Sequence, residues 1–201
     1  MDIELPASPI LERFLAESPW SLALPLVLAA AALAWWGARN DRARPILAGA
    51  GLLLVAAGAL AAAHWWTSPG ERAAAAARDL VAAAEAADMD RIRACFAPDA
   101  SLHYGSPRNP GEDLDRLMSA AESLRGRRRI ESNDITRLDI ATVDGDRGIA
   151  MLGCLTEVAS GYGPIPTLWW IEVRRMPDGG WRIDRLAWLR LLNQVPDRGA
   201  L

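Results

Sequence analysis

A chain of 201 residues with a formal net charge of −3 allows one ordinary domain plus an attachment, and so small a charge indicates neither nucleic acid nor an acidic partner. Its 22 basic residues are all Arg, which reads as coding bias rather than function. Two cysteines, Cys95 and Cys154, stand far apart without CxxC or Cys/His spacing, so neither a metal site nor a disulfide framework is indicated. They read as buried free thiols, or as a single bridge if the domain lies in an oxidising compartment.

Residues 1–17 form a short acidic tail in which Ile10, Leu11, Phe14 and Leu15 suggest an interfacial amphipathic turn. From Ser18 to Ala38 there is no charge, and Trp20 and Trp35-Trp36 stand at the two ends, the length and aromatic belt of a membrane-spanning helix. The acidic front argues against a cleaved signal peptide. A polar turn follows at Arg39–Arg44, and a second uncharged run extends from Pro45 to Trp66. The expectation is a transmembrane hairpin over 18–67, with helices at about 18–38 and 45–66. Ala30 with Ala34 and Gly58 with Ala62 have the four-residue spacing that lets helices pack closely in lipid. His64 reads as an interfacial side chain. The three Arg of the turn place it in the cytoplasm, and the C-terminal domain outside, by the positive-inside bias.

Ser68 with Glu71 makes a capping box, and Pro69 fits the first helical position, so a helix starts almost directly after the hairpin. Its stripe is mostly Ala: Ala73, Ala77, Leu80, Ala84 and Ala87. Asp88 opens a shorter helix with Met89, Ile92 and Phe96 on one face, which Pro98-Asp99 ends; Ala100–Tyr104 then reads as a short strand. Asn109-Pro110-Gly111-Glu112 repeats the helix-start chemistry, and Leu114, Leu117, Met118, Ala121 and Leu124 form the third apolar face. Beyond Arg127-Arg128-Arg129, a solvated strand entry, the pattern predicts strands at roughly 129–143, 147–159, 166–176 and 180–192. Asp144-Gly145-Asp146, Gly161–Pro166 and Pro177–Gly180 supply the turns.

Three helices, a short strand among them and a C-terminal antiparallel meander resemble the cone-shaped fold of nuclear transport factor 2, ketosteroid isomerase and the SnoaL-like proteins. The carrying residues are Leu80–Asp90, Phe96-Ala-Pro-Asp-Ala-Ser-Leu102, Val143-Asp-Gly-Asp-Arg147 and Asp178-Gly-Gly-Trp181-Arg-Ile183-Asp-Arg-Leu186. The resemblance implies an α+β class, with three helices on a curved antiparallel sheet over 68–195 and a tail at 196–201. The same cone hosts isomerases, hydrolases, cyclases, binders and docking domains, so it assigns no function. The isomerase-type members keep a carboxylate base and a phenol where this sequence has Tyr104 and Leu80. A tyrosine is ionised about three units too high to be a base at neutral pH, and leucine donates nothing.

The cavity of such a cone is expected to draw on His103, Trp169, Met151, Phe96 and Leu80. His103 and Tyr104 are adjacent on one strand, so one points inward and the other outward. Trp169, Ile171 and Val173 share one face, Trp170 and Glu172 the other; an outward Trp170 near Trp188 makes an apolar patch suited to a homodimer or another membrane protein. Trp181 and Ile183 have one parity and Leu186 and Trp188 the other, which calls for a bulge near Asp184-Arg185 or for two covered faces. Glu157 and Asp184 are the candidate cavity acids, and both read as solvated. No paired carboxylates, nucleophile with base, phosphate loop, metal constellation or cofactor motif is present. The sequence therefore points to an integral two-pass protein, its partner the lipid bilayer, displaying a non-catalytic docking or self-associating module with room for an apolar small molecule. The alternative is a membrane-held enzyme on a hydrophobic substrate, with His103 as acid or base and Tyr104 or Tyr162 as helper.

Overall fold

The computed structural model describes residues 5–6, 19–65, 67–126, 129–159 and 163–197, with the side chains of 19–22, 59 and 62–65 also outside the description. The chain divides into two compact units, Ser8–Ser68 and Pro69–Leu201 together with Met1–Ala7.

The first unit is a helical hairpin of α1 (Pro19–Arg39) and α2 (Ala43–Trp65). The turn between them is closed by Asp41 in the left-handed region, φ 47°, and by the Arg42 amide donating to the Gly37 carbonyl at 3.0 Å. Small residues set the closeness of the pair. Ala23, Ala30 and Ala56 are buried, and a Cβ on Gly49 would lie 2.7 Å from the Ala30 carbonyl oxygen. Gly58, one of the expected packing positions, has open space beside it, while the side chain of Ala62 lies outside the description. The large aliphatics point the other way: Leu28, Leu47, Leu54 and Val55 are all well exposed. Among the described residues no helix is long and apolar enough to cross a membrane.

The second unit begins with α3 (Pro69–Glu85), whose Ala73, Ala77 and Ala83 are fully buried. With no side chain beyond Cβ, this stripe brings the helix axis close to the sheet. The helix is anchored at its first turn, where the Gly70 amide donates to Thr142 Oγ1 at 3.3 Å. Ala87 turns the chain at φ 49°, and Asp88 caps α4 (Met89–Ala94) by accepting from the Arg91 amide. Then come β1 (Phe96–Tyr104), the two-residue β2 (Glu112–Asp113), α5 (Leu114–Ala121) and a 3-10 turn at Glu122–Arg125. Strands β3 (Ile130–Asp144), β4 (Arg147–Val158), β5 (Ile165–Arg175) and β6 (Trp181–Leu191) follow as a meander.

The six strands make one sheet in the order β2-β1-β6-β5-β4-β3. It is mixed, not wholly antiparallel as expected, because β1 pairs parallel with β6. The long connection through the rest of the domain is what allows that pairing, since a tight hairpin joins only antiparallel strands. Two local expectations also shift. Phe96 is a strand residue and not the end of a helix, and Pro98 and Asp99 fit within β1 because its ladder is interrupted between Phe96 and Ser101. The third helix starts at Leu114, where Asp113 accepts from the Arg116 amide at 2.9 Å; Glu112 belongs to β2.

Helices packed on one face of a mixed sheet fit a cone. Ala77, Phe96, Leu102, Leu152, Ile171, Val173, Ile183 and Leu186 belong to the core on that face. A smaller cluster of Ile149, Met151, Trp170, Ala187 and Leu189 occupies the opposite face, with Leu5, Val143 and Leu168 packed against it.

Candidate functional site

Between the helices and the inner face of the sheet lies a cavity of about 580 Å³, within the range that accepts a small organic ligand. Its walls follow from strand periodicity. Residues two apart share a face, so β4 contributes Leu152, Cys154, Thr156 and Val158, and β5 contributes Ile165, Thr167, Trp169 and Ile171. Leu80, Val81 and Ala84 of α3 form the facing wall, with Leu117, Ala121 and Leu124 beside them.

Strand β6 adds Leu186, Trp188 and Leu191, a set that a regular strand could not present together. Two register shifts make it so. One lies where Glu172 pairs with Arg185 but Val173 with Ile183, the other where Leu168 pairs with Arg190 but Trp169 with Trp188. The first is the bulge expected at Asp184-Arg185; it puts Ile183 and Leu186, of opposite parity, on the same face. Trp169 and Trp188 then stack as a pair, with centroids 4.9 Å apart and planes 7° from parallel. Both indole N–H groups are satisfied: Trp169 Nε1 donates to Thr167 Oγ1 at 3.0 Å and Trp188 Nε1 to the Arg190 carbonyl at 3.1 Å. The pair offers a flat apolar wall that spends none of its own donors on a ligand.

Polar lining is sparse. Thr156 Oγ1 donates to Asn133 Oδ1 at 2.8 Å, and Thr167 and Ser123 complete the set. The one titratable group among the described lining residues is the Cys154 thiol, which burial pushes up to about 11. A thiol so placed stays protonated at neutral pH and behaves as a small hydrophobe. Cys95 is likewise raised, chiefly by burial, and both cysteines are free.

Leu80, Phe96 and Trp169 thus line the cavity, whereas Met151 and His103 do not. Met151 alternates with Leu152 and falls in the outer cluster beside Trp170. His103 pairs with Ala187 on the outer face and is buried there. Its ring is fully engaged: Nδ1 donates to the Asn109 carbonyl at 2.6 Å, and Nε2 accepts from Ser101 Oγ at 2.8 Å. Tyr104 points to the inner core without reaching the cavity, its hydroxyl donating to Glu112 Oε2 at 3.1 Å. Tyr162 lies outside the described residues. Trp170 is on the outer face as expected, but Trp188 is turned inward, because the bulge at Asp184-Arg185 gives Leu186 and Trp188 the inner face. Sequence reasoning missed Asn133, Thr156 and Thr167. The signal for the two threonines was the two-residue step, from Leu152 along β4 and from Trp169 along β5.

No family model matches the chain, and no curated protein matches it. Among solved structures, it is similar to a ketosteroid isomerase-like protein from Erwinia carotovora atroseptica, at 17% identity over 61% of this chain and 95% of that one, TM-score 0.44. It is also similar to a Mycobacterium tuberculosis protein of unknown function, at 19% identity over 60% of this chain and 74% of that one, TM-score 0.49. A third is an uncharacterized protein with a cystatin-like fold from Caulobacter vibrioides, at 14% identity over 65% of this chain and 92% of that one, TM-score 0.49. TM-scores below 0.5 leave the cone resting on the chain's own helices and sheet, and they say nothing of what the cavity holds.

Proposed function

We propose that the chain is a two-pass membrane protein whose cone binds an apolar small molecule without transforming it. The observation that carries the binding reading is the cavity itself: a stacked Trp pair and aliphatic walls, with hydroxyls and one amide as its polar points. Apolar contact with a few fixed polar groups is how small-molecule sites hold and orient their ligands. The enzyme alternative draws less support, since His103 is spent on a sheet-surface hydrogen-bond pair and Tyr104 on Glu112. Docking through the outer sheet keeps Trp170 alone of its two expected residues, and Trp170 is only 7% exposed.

Membrane attachment is supported by which residues the hairpin hides. Its contact is made of Ala and Gly, while Leu54 at 76% exposure and Trp35 at 72% point outward. A hairpin that turns aliphatics outward needs an apolar surround, and lipid supplies one. The arginines of the turn then orient it toward the cytoplasm and the cone outward.

The test uses full-length protein in neutral-lipid nanodiscs, titrated with the neutral fluorophore N-phenyl-1-naphthylamine. Saturable energy transfer from tryptophan is expected above the empty-nanodisc background, and Ala84→Phe, which fills the cavity wall, should abolish it. Transfer that does not saturate, or that survives Ala84→Phe in a folded variant, would overturn the reading. A chain released from membranes by alkaline carbonate would overturn the attachment.

A further inference from the structure

The turn between α1 and α2 carries charge that the fold does not use. Arg39, Arg42 and Arg44 stand within six residues of one another, with Asp41 as the one carboxylate among them. None of the three guanidinium groups makes an ion pair with Asp41 or with any other described residue, and all three side chains are exposed. The turn's own polar needs are met without them. Asn40 Nδ2 donates to the Trp36 carbonyl at 2.7 Å, and the amides of Asn40 and Arg42 take the Gly37 carbonyl. Thus the last carbonyls of α1 do not hold the arginines.

The arginines are also arranged. The Arg42 guanidinium lies 5.9 Å from the centroid of the Trp36 ring, and a cleft of about 460 Å³ opens between Trp36, Arg42, Arg44 and Pro45. No acidic residue occupies the first turn of α2, so the positive end of that helix adds to the same field. A planar guanidinium presents paired N–H donors that match phosphate oxygens, and an exposed indole beside it sits well at the depth of lipid headgroups.

We propose that this turn is a binding site for the phosphodiester of an anionic lipid headgroup, with Arg42 and Arg44 holding the phosphate oxygens against the Trp36 indole. The proposal rests on the membrane reading above. It adds a chemistry that the reading does not require, since a hairpin inserts equally well in neutral lipid. Anionic lipid is favoured over zwitterionic lipid because choline's ammonium offsets the phosphate charge that the arginines meet.

The experiment has three arms, all with the full chain. Flotation with phosphatidylcholine vesicles reads insertion alone. Native mass spectrometry from nanodiscs of mixed phosphatidylcholine and phosphatidylglycerol reads which lipid stays bound, for wild type and for Arg42→Gln/Arg44→Gln. Competition with inorganic phosphate separates a lipid headgroup from a free anion. Wild type should float with neutral vesicles and retain phosphatidylglycerol selectively. The double variant should float equally and lose about 25-fold in that selectivity, about fivefold per guanidinium. Both substituted side chains are exposed, so the variant's helix content should not change. Flotation without lipid selectivity, or selectivity unchanged in the double variant, overturns the site and leaves the membrane reading standing. Displacement of the lipid by millimolar phosphate overturns the headgroup assignment. Failure to float overturns the membrane reading, and the site with it.

Discussion

Gly148 is where the cone's first helix meets its sheet, and substituting it should loosen both. A Cβ there would overlap the Pro69 carbonyl outright and come 2.9 Å from the Gly70 nitrogen. These are backbone atoms in the first turn of α3, so no rotamer change relieves the clash; the helix end must back away from β4, against the Gly70–Thr142 hydrogen bond. Overpacking of this kind costs about 1–3 kcal/mol, and backbone overlap belongs at the upper end. Replacing glycine in a strand returns at most roughly 1 kcal/mol of backbone entropy. The net for Gly148→Ala is therefore a loss of about 2 kcal/mol, or a fall in Tm of about 4–8 °C at 2–4 °C per kcal/mol. Thermal unfolding by near-ultraviolet circular dichroism measures it, with Gly145→Ala as control, because a Cβ on Gly145 meets nothing within 4 Å. Since α3 also carries Leu80, Val81 and Ala84 into the cavity, the same substitution should weaken probe binding. Equal melting temperatures for the two variants would refute the close approach.

Three further outcomes follow from the site and its supports. With its thiol near 11, Cys154 is ionised to roughly one part in three thousand at pH 7.5, so alkylation by iodoacetamide in the folded protein should be at least a hundredfold slower than for an ordinary exposed thiol; rapid single-site labelling of Cys154 would contradict the burial. Asp113→Ala removes the acceptor for the Arg116 amide and should cost about 1 kcal/mol, read as a shift in denaturation midpoint without a change in slope. Asp144 is held below its usual 3.8 chiefly by hydrogen bonds from Arg147. A carboxylate depressed in the folded state contributes stability that is present above its unfolded value and is lost as pH falls through the folded one. The stability difference between wild type and Arg147→Gln should thus be constant from pH 7 to 5 and vanish below the carboxylate range; being exposed, the pair makes a small difference throughout.

The meander was legible because its turns are chemically explicit. Asp144-Gly145-Asp146 and Pro177–Gly180 break the chain where β3 passes to β4 and β5 to β6. Strand β1 was partly hidden for the opposite reason. Its neighbour β6 lies at the far end of the chain, so nothing local tells Phe96–Asp99 to extend, and Pro98 there reads as a stop.

The site shows where alternation carries information and where it fails. In β5, Trp169 and Trp170 separate as the two-residue period requires, one into the cavity and one into the outer cluster. In β4, Ile149, Ala150, Met151 and Leu152 are apolar on both sides, so the period gives two sets without saying which is inside; Met151 was assigned to the wrong one. In β6 the parity itself changes twice. The shift near Asp184 was readable from Ile183 and Leu186, both too apolar to lie on opposite faces without cover, but nothing in Leu189-Arg190 announces the second. That second shift brings Leu191 to the cavity, whereas the first turns Trp188 inward together with Leu186, where it meets Trp169. The stack that defines the pocket therefore depends on the bulge at Asp184-Arg185, without which the two-residue period running on from Ile183 would leave Trp188 on the outer face.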